Sequence, residues 1–192
     1  MDKETLRRVY LEKRKTLTKK EYDFRNGLIT NRLISFITEN QFHAIHVFLP
    51  ISKNREIDLR PFIKQLHNEL PSVDVVTSIS DLSQASMSHY KLEADTQLKL
   101  NKWGIPEPVN AEPYDMEKID CVLVPMVIGS KTGHRIGYGK GYYDQFLNNC
   151  SENTIFVGLN IGPLLEGDMY AEEHDIAMGY MITPFQLFKI NS

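Results

Sequence analysis

From Gly133 to Asp144 the chain reads Gly133-His134-Arg135-Ile136-Gly137-Tyr138-Gly139-Lys140-Gly141-Tyr142-Tyr143-Asp144. Alternating glycines let backbone N–H groups approach an anion with no Cβ in the way, and Arg135 and Lys140 add full positive charges. The segment follows a strand-like run ending at Pro125 and leads into a helix, whose N-terminus adds roughly half a charge more. Such a loop is a phosphate cradle. It is not a Walker A loop, because Gly141 rather than Ser or Thr follows Lys140, and its glycines are not spaced as in the dinucleotide fingerprint. A plain glycine-rich surface loop is the alternative, but such loops rarely carry two cations, tyrosines and a carboxylate at a helix entrance.

Other side chains are weaker signals when taken singly. Lys3 and Arg7 lie one helical turn apart and can point at one spot, on a face separate from the Leu6, Val9 and Lys13 stripe; alone, they read as a solvated face. Asp144 by itself could only stabilise a helix start. Glu56 reads equally as a loop carboxylate, and Trp103, before Gly104, as a plug at the core edge. His174 beside Asp175 suggests a proton relay, yet adjacent residues need not face one another, so a positioning role fits better.

The elements that must carry these residues alternate in type. Leu6, Val9, Tyr10, Lys13 and Leu17 give a narrow stripe on a basic first helix. Thr18-Lys19-Lys20-Glu21 matches a capping box and opens a second helix bearing Tyr22, Leu28, Leu33 and Phe36. Ala44 to Leu49 reads as a strand closed by Pro50. Asp58 can cap a helix running to Leu70, with Pro61 tolerated in its first turn. Val73–Ile79 and Ile119–Val124 read as strands buried on both faces. Gly141–Asn149 reads as a helix, Thr154–Leu159 as a strand and Met178–Ile182 as a last one. Ala85 to Leu92 has strand character, and Trp103 to Pro108 is turn-rich and irregular. Strands alternating with helices imply one α/β domain with a mostly parallel, Rossmann-like sheet and helices on both faces.

Composition bounds the partners. The 192 residues are 42% hydrophobic, 24% charged and 10% aromatic, and so belong to a globular chain rather than a disordered one. A net charge of −3 excludes a chain-wide nucleic-acid surface, so any anion is held by a local cluster. Cys121 and Cys150 have no metal-ligand spacing, and Cys121 sits in an apolar run, as a buried reduced thiol would. No stretch approaches the roughly 20 apolar residues of a membrane span, and the charged N-terminus has no signal core. A cytoplasmic location follows as the expectation.

The loop resembles the signature of the 5-formyltetrahydrofolate cyclo-ligases (5,10-methenyltetrahydrofolate synthetases), G-x-R-L-G-x-G-x-G-Y-Y-D. The resemblance extends over nearly the whole chain. It is carried further by Lys3 and Arg7, by Glu56-Ile57-Asp58, by Trp103-Gly104-Ile105-Pro106-Glu107-Pro108, and by His174-Asp175 before the last strand. It implies an ATP- and Mg2+-dependent enzyme that converts 5-formyltetrahydrofolate, with or without a polyglutamate tail, to 5,10-methenyltetrahydrofolate. It also implies a phosphorylated formyl intermediate and a monomer acting on small molecules, with no nucleic-acid or membrane partner. Lys3, Arg7 and the run Arg135, Ile136, Gly137, Tyr138, Gly139, Lys140, Gly141, Tyr142 and Tyr143 then resemble the ATP site. Ile51, Glu56, Trp103 and Tyr138 to Tyr142 match folate-binding positions, and Asp144 and Asp175 the magnesium carboxylates. Arg135, Lys140 and Glu56 match the catalytic positions.

The chain departs from the family pattern where Gly129-Ser130 replaces Phe-Asp. It departs again between Asn160 and Tyr170, which lacks a glutamine and adds Glu166 and Asp168. A sugar-phosphate isomerase would need the cradle but neither nucleotide nor magnesium carboxylates. A catalytically dead nucleotide- or folate-binding regulator has only Ser130 in its favour.

Overall fold

The computed structural model describes residues 2–81, 86–167, 171–172 and 175–190. His174 and Asp168 lie outside them. Two helices come first, α1 (Lys3–Lys15) and α2 (Lys19–Asn40). The expected capping box opens α2: Glu21 N–H donates to Thr18 Oγ1 at 3.2 Å, and Thr18 N–H donates to Glu21 Oε2 at 2.9 Å. Satisfying these end groups is worth about 1 kcal/mol.

The strands are β1 (Ala44–His46), β2 (Asp74–Asp81), β3 (Ser86–Lys91), β4 (Leu98–Leu100), β5 (Pro106–Pro108), β6 (Cys121–Pro125), β7 (Ile128–Gly129), β8 (Arg135–Ile136), β9 (Ile155–Leu159), β10 (Tyr180–Ile182) and β11 (Leu187–Lys189). Helices α3 (Arg60–Glu69) and α4 (Tyr142–Asn148) form two of the crossovers. The main sheet has seven strands in the order β11-β10-β9-β6-β1-β2-β3. Its interior pairings are parallel, and only the edge pairs β10–β11 and β2–β3 are antiparallel.

Alternation along β6 shows why its run is wholly apolar. Cys121 and Leu123 pack with Ile29, Leu33 and Phe36 of α2 and Phe62 and Leu66 of α3, while Val122 and Val124 pack with Phe146 and Leu147 of α4. Both faces are therefore covered, as a parallel sheet requires. Burying a side chain such as Phe62 contributes about 1.5–3 kcal/mol. Cys121 is buried and both cysteines are free.

Several local expectations change. Asp58 does not cap α3. Leu59 holds the cap position, and Asp58 instead accepts from the Arg60 backbone and pairs with its guanidinium at 2.7 Å. The turn-rich stretch around Trp103 is a small hairpin of β4 and β5. A second hairpin, β7 with β8, follows Pro125 and takes in Arg135 and Ile136 at the start of the glycine loop, and β11 extends the sheet past the expected last strand. On α1 the buried positions are Leu6 and Arg14, with Tyr10 packed beside Leu6; Lys13 is exposed over the Tyr10 ring at 4.6 Å. The charge of Arg14 hid it from a reading based on apolar spacing.

Candidate active site

The direction in which strands are added to the sheet reverses between the parallel strands β1 and β6. From β1 the crossover through α3 leads to β2 on one side, and from β6 the crossover through α4 leads to β9 on the other. Strands diverging in this way leave a crevice beyond their carboxyl ends, the switch point where open α/β sheets bind ligands. The segment after β1 carries Ile51 and Glu56, and the segment after β6 carries the glycine loop.

Helix α1 closes over this crevice. Arg7 donates from Nε to Gly137 O at 2.8 Å, and its guanidinium lies only 3.1 Å from where a Cβ on Gly139 would stand. Gly139 has φ +81°, so both its backbone and its neighbour favour glycine. Lys3 pairs with Asp175 at 2.9 Å and with Glu172 at 3.2 Å. Lys3, Arg7, Tyr10 and Arg14 follow one seam of the helix, so these cations share the docked face instead of standing apart from it.

Deeper in the crevice, Arg14 is 5% exposed. Its Nη2 donates to Met126 O at 2.5 Å and Val127 O at 3.0 Å, and its Nη1 to the Tyr138 hydroxyl at 3.2 Å. Tyr138 in turn lies near the Glu56 carboxylate, and each acts electrostatically on the other; Glu56 Oε2 accepts from Ile51 N–H at 2.5 Å. Glu56 is 5% exposed, and the Tyr22 hydroxyl donates to its backbone oxygen. Burial pushes the Glu56 carboxyl up, against the opposing pull of the Ile51 N–H, Tyr138 and Arg14. Burial likewise pushes the phenols of Tyr138 and Tyr143 well up, so both are neutral hydrogen-bonding groups.

Arg135 is anchored rather than free. Its side chain is 6% exposed, with Nη2 2.5 Å from Asp144 Oδ1 and Nη1 3.1 Å from Ile176 O. Through this fork Asp144 and the backbone beside Asp175 are drawn to one place. Lys140 and Gly141 are exposed, whereas Ile136 is buried against Leu6 and Ile128 and serves the core. Tyr143 packs in an aromatic group with His46 and Phe146. Helix α4 has seven residues and no side-chain cap, so its dipole adds little, and anion binding rests on the loop N–H groups and the cations.

Asp144 and Asp175 fit a magnesium ion that arrives with phosphates. Asp144 is half exposed and its Oδ1 is taken by Arg135, while Asp175 already balances Lys3. Among the described residues no group of three or more His, Cys, Asp or Glu forms a cage on its own. Magnesium commonly uses one or two carboxylates with substrate oxygens and water, so such a cage is not needed.

Trp103 stands apart from this cluster. It is 40% exposed beside Lys102, in a wide hollow of about 690 Å3 that also includes Ile79, Ser88, Tyr90 and Glu107. Ser78 and His89 are paired across β2 and β3 and face His46 and Phe146. Strand alternation therefore puts Ile79, Ser88 and Tyr90 on the other side of the sheet. At Gly129, Met126 Sδ and Met181 Cε each come within 2.8 Å of the Cβ position, so methionines fill the space that a larger residue would need. Ser130 is fully buried and shares a hydrogen bond with Thr132 at 2.8 Å.

A doubly wound α/β sheet with a basic, glycine-rich crevice at its switch point defines the class of protein. The sequence profile of the 5-formyltetrahydrofolate cyclo-ligase family matches residues 1–184, and the chain belongs to that family. The 5-formyltetrahydrofolate cyclo-ligase of Mycoplasma pneumoniae is 27% identical over 183 residues, covering 95% of this chain and 98% of that protein. The enzyme of the same name from Escherichia coli is 24% identical, covering 93% and 98%. The solved 5,10-methenyltetrahydrofolate synthetase of Aquifex aeolicus superposes with a TM-score of 0.83 at 24% identity, covering 99% of this chain and 93% of that one. No helix among the described residues is long and apolar enough to cross a membrane.

Proposed function

We propose that the protein converts 5-formyltetrahydrofolate to 5,10-methenyltetrahydrofolate with ATP and Mg2+, releasing ADP and phosphate. It acts as a cytoplasmic monomer on small molecules. The formyl oxygen is amide-like, and hydroxide is too poor a leaving group to depart from its carbon. Attack of that oxygen on the γ-phosphoryl group breaks the bond to ADP and turns the oxygen into a phosphate ester. The neighbouring nitrogen of the aminobenzoate arm then adds to the activated carbon and loses its proton. Phosphate leaves with the carbon–oxygen electron pair, and the ring is closed.

Phosphoryl transfer asks a protein chiefly for alignment and charge neutralisation. Lys3, Arg7, Arg135, Lys140 and the loop from Gly137 to Tyr142 hold the triphosphate, with Ile136 and Tyr143 anchoring its ends in the core. Ile51, Glu56 and Tyr138 orient the formyl and pterin end, while Trp103, set apart from them in its own hollow, is left to the far arm of the folate. Bound at Asp144 and Asp175, Mg2+ supplies charge neutralisation on the phosphates.

The observation that carries this reading is the contact of Arg7 with Gly137 and Gly139, which sets a helix-borne cation against the cradle at 2.8 Å. Incubation of the pure protein with 5-formyltetrahydrofolate, with and without Mg-ATP, tests it through the absorbance of the methenyl product. Product that forms only with both is expected; no product, or product without ATP, rejects the reading.

A further inference from the structure

We propose that Arg14 is a positioning residue for this reaction: it clamps the segment after β6 and fixes the Tyr138 hydroxyl on the Glu56 side of the crevice. The inference rests on the cyclo-ligase reading and extends it to a residue outside the loop signature. Arg14 spends its Nη2 on two consecutive carbonyls, those of Met126 and Val127, where the chain leaves β6. Its Nη1 reaches Tyr138, eleven residues further along the same segment. One planar fork thus ties both ends of the hairpin and loop together, a geometry an ammonium cannot reproduce.

The connection continues to the other wall of the crevice. Arg14 donates to Tyr138, which lies near Glu56, and Glu56 accepts from Ile51 N–H, so helix α1, the glycine loop and the segment after β1 meet around this carboxylate. Arg14 is buried in that chain, and its Nε has no hydrogen-bond partner. A buried arginine kept with an unsatisfied donor is costly as a structural device alone. It is better explained by the partners it holds in place.

Among the described residues, the charged and titratable groups that act on Glu56 are few. Arg14 comes from α1, Tyr22 from α2, Tyr138 from the loop and Tyr143 from α4, with Asp58 and Arg60 further along its own segment. The phenols are neutral, and Asp58 and Arg60 neutralise one another, so among the described residues Arg14 is the cation whose charge pulls the Glu56 carboxyl down. Arg14→Lys keeps the charge and loses the fork, whereas Arg14→Met loses both.

The experiment compares Arg14→Lys, Arg14→Met, Tyr138→Phe and the Arg14→Lys/Tyr138→Phe double variant with wild type, each checked for cooperative unfolding. Arg14→Lys is expected to lower kcat by about a hundredfold with KM for ATP little changed, since a small misplacement of an aligned group costs that much. Tyr138→Phe is expected to lose as much, and the double variant no more than either, because both act through one contact. In 13C-glutamate-labelled protein, the Glu56 carboxyl, assigned by its loss in Glu56→Gln, should titrate about one pH unit or more higher in Arg14→Met and stay near wild type in Arg14→Lys. If Arg14→Met does not fold, the lysine variant and the double-variant comparison decide. Wild-type kcat in Arg14→Lys, or losses that multiply in the double variant, overturns the role of Arg14. Failure of wild type to form the methenyl product overturns the parent reading instead.

Discussion

Arg135 Nη2 lies 2.5 Å from Asp144 Oδ1, so the glycine loop's buried cation and the first carboxylate of α4 neutralise each other. This pairing separates the two loop cations, which look equivalent in sequence. Lys140 is exposed, with no ion pair among the described residues, and Lys140→Ala should change stability by under about 0.5 kcal/mol. Its turnover should still fall near a hundredfold, about 3 kcal/mol of transition-state stabilisation. Arg135→Ala strands Asp144 and the Ile176 carbonyl, and should lose about 1–3 kcal/mol of stability as well as turnover. Denaturant melts beside initial rates distinguish the two, and a wild-type rate in folded Lys140→Ala contradicts the cradle.

Magnesium should bind tightly only with nucleotide present. Asp175 is engaged by Lys3 and Asp144 by Arg135, so the carboxylates offer little net negative charge until phosphates draw the cations away. Calorimetric titration with magnesium, with and without a non-hydrolysable ATP analogue, measures this. Tight binding to the nucleotide-free protein that survives Asp175→Asn would rule it out.

Helix α1 should become more protected when ATP binds. Its hold on the body consists of Leu6 and Tyr10 against Ile128 and Ile136, the polar contacts of Arg7 and Arg14, and the Lys3 ion pairs. Phosphates meeting Lys3 and Arg7 add to that hold. Hydrogen exchange over residues 5–15 should slow with ATP. ATP affinity should weaken with salt and in Arg7→Ala, while folate affinity changes little. Unchanged exchange at saturating ATP would make the helix a structural cover only.

Acid should unfold the protein partly through His46 and His89. His46 is fully buried with Nδ1 unpartnered, and burial drives its imidazole well below the usual 6.5. Burial also pushes His89 down to about 4. The unfolded chain takes up protons below about 6.5 while the folded one resists, so stability is full above that pH and declines as pH falls toward 4. His89 alone should account for a decline on the order of 3 kcal/mol. Urea melts from pH 7 to pH 4 should show it, and His89→Phe, which keeps a ring against Phe146, should flatten the slope. An unaltered slope in that variant would assign the acid lability elsewhere.

Local rules made much of this protein legible in its sequence. The capping box at Thr18, the apolar run through Val122 and the glycines between Gly133 and Gly141 act through chemistry that spans only a few residues. They sufficed for the α/β class, the order of the main elements and the family. The resemblance also singled out Lys3, Arg7 and Asp175, although nothing local says that they meet. That meeting depends on α1 returning to the far end of the chain: Lys3 reaches Asp175 across 172 positions and Arg7 reaches Gly137 across 130. Arg14 stayed hidden because a buried guanidinium breaks the apolar stripe that sequence reading follows; only its tertiary partners, Met126, Val127 and Tyr138, make its burial tolerable. The hairpin of β7 and β8 was hidden for the converse reason. Strands of two residues carry too short a pattern to read, and their pairing is fixed by the core formed by Leu6, Ile128 and Ile136. Sequence determined which groups exist and which segments carry them; the packing of α1 across the switch point decided which of them share one crevice, because contacts between distant segments are selected by the burial of the whole chain.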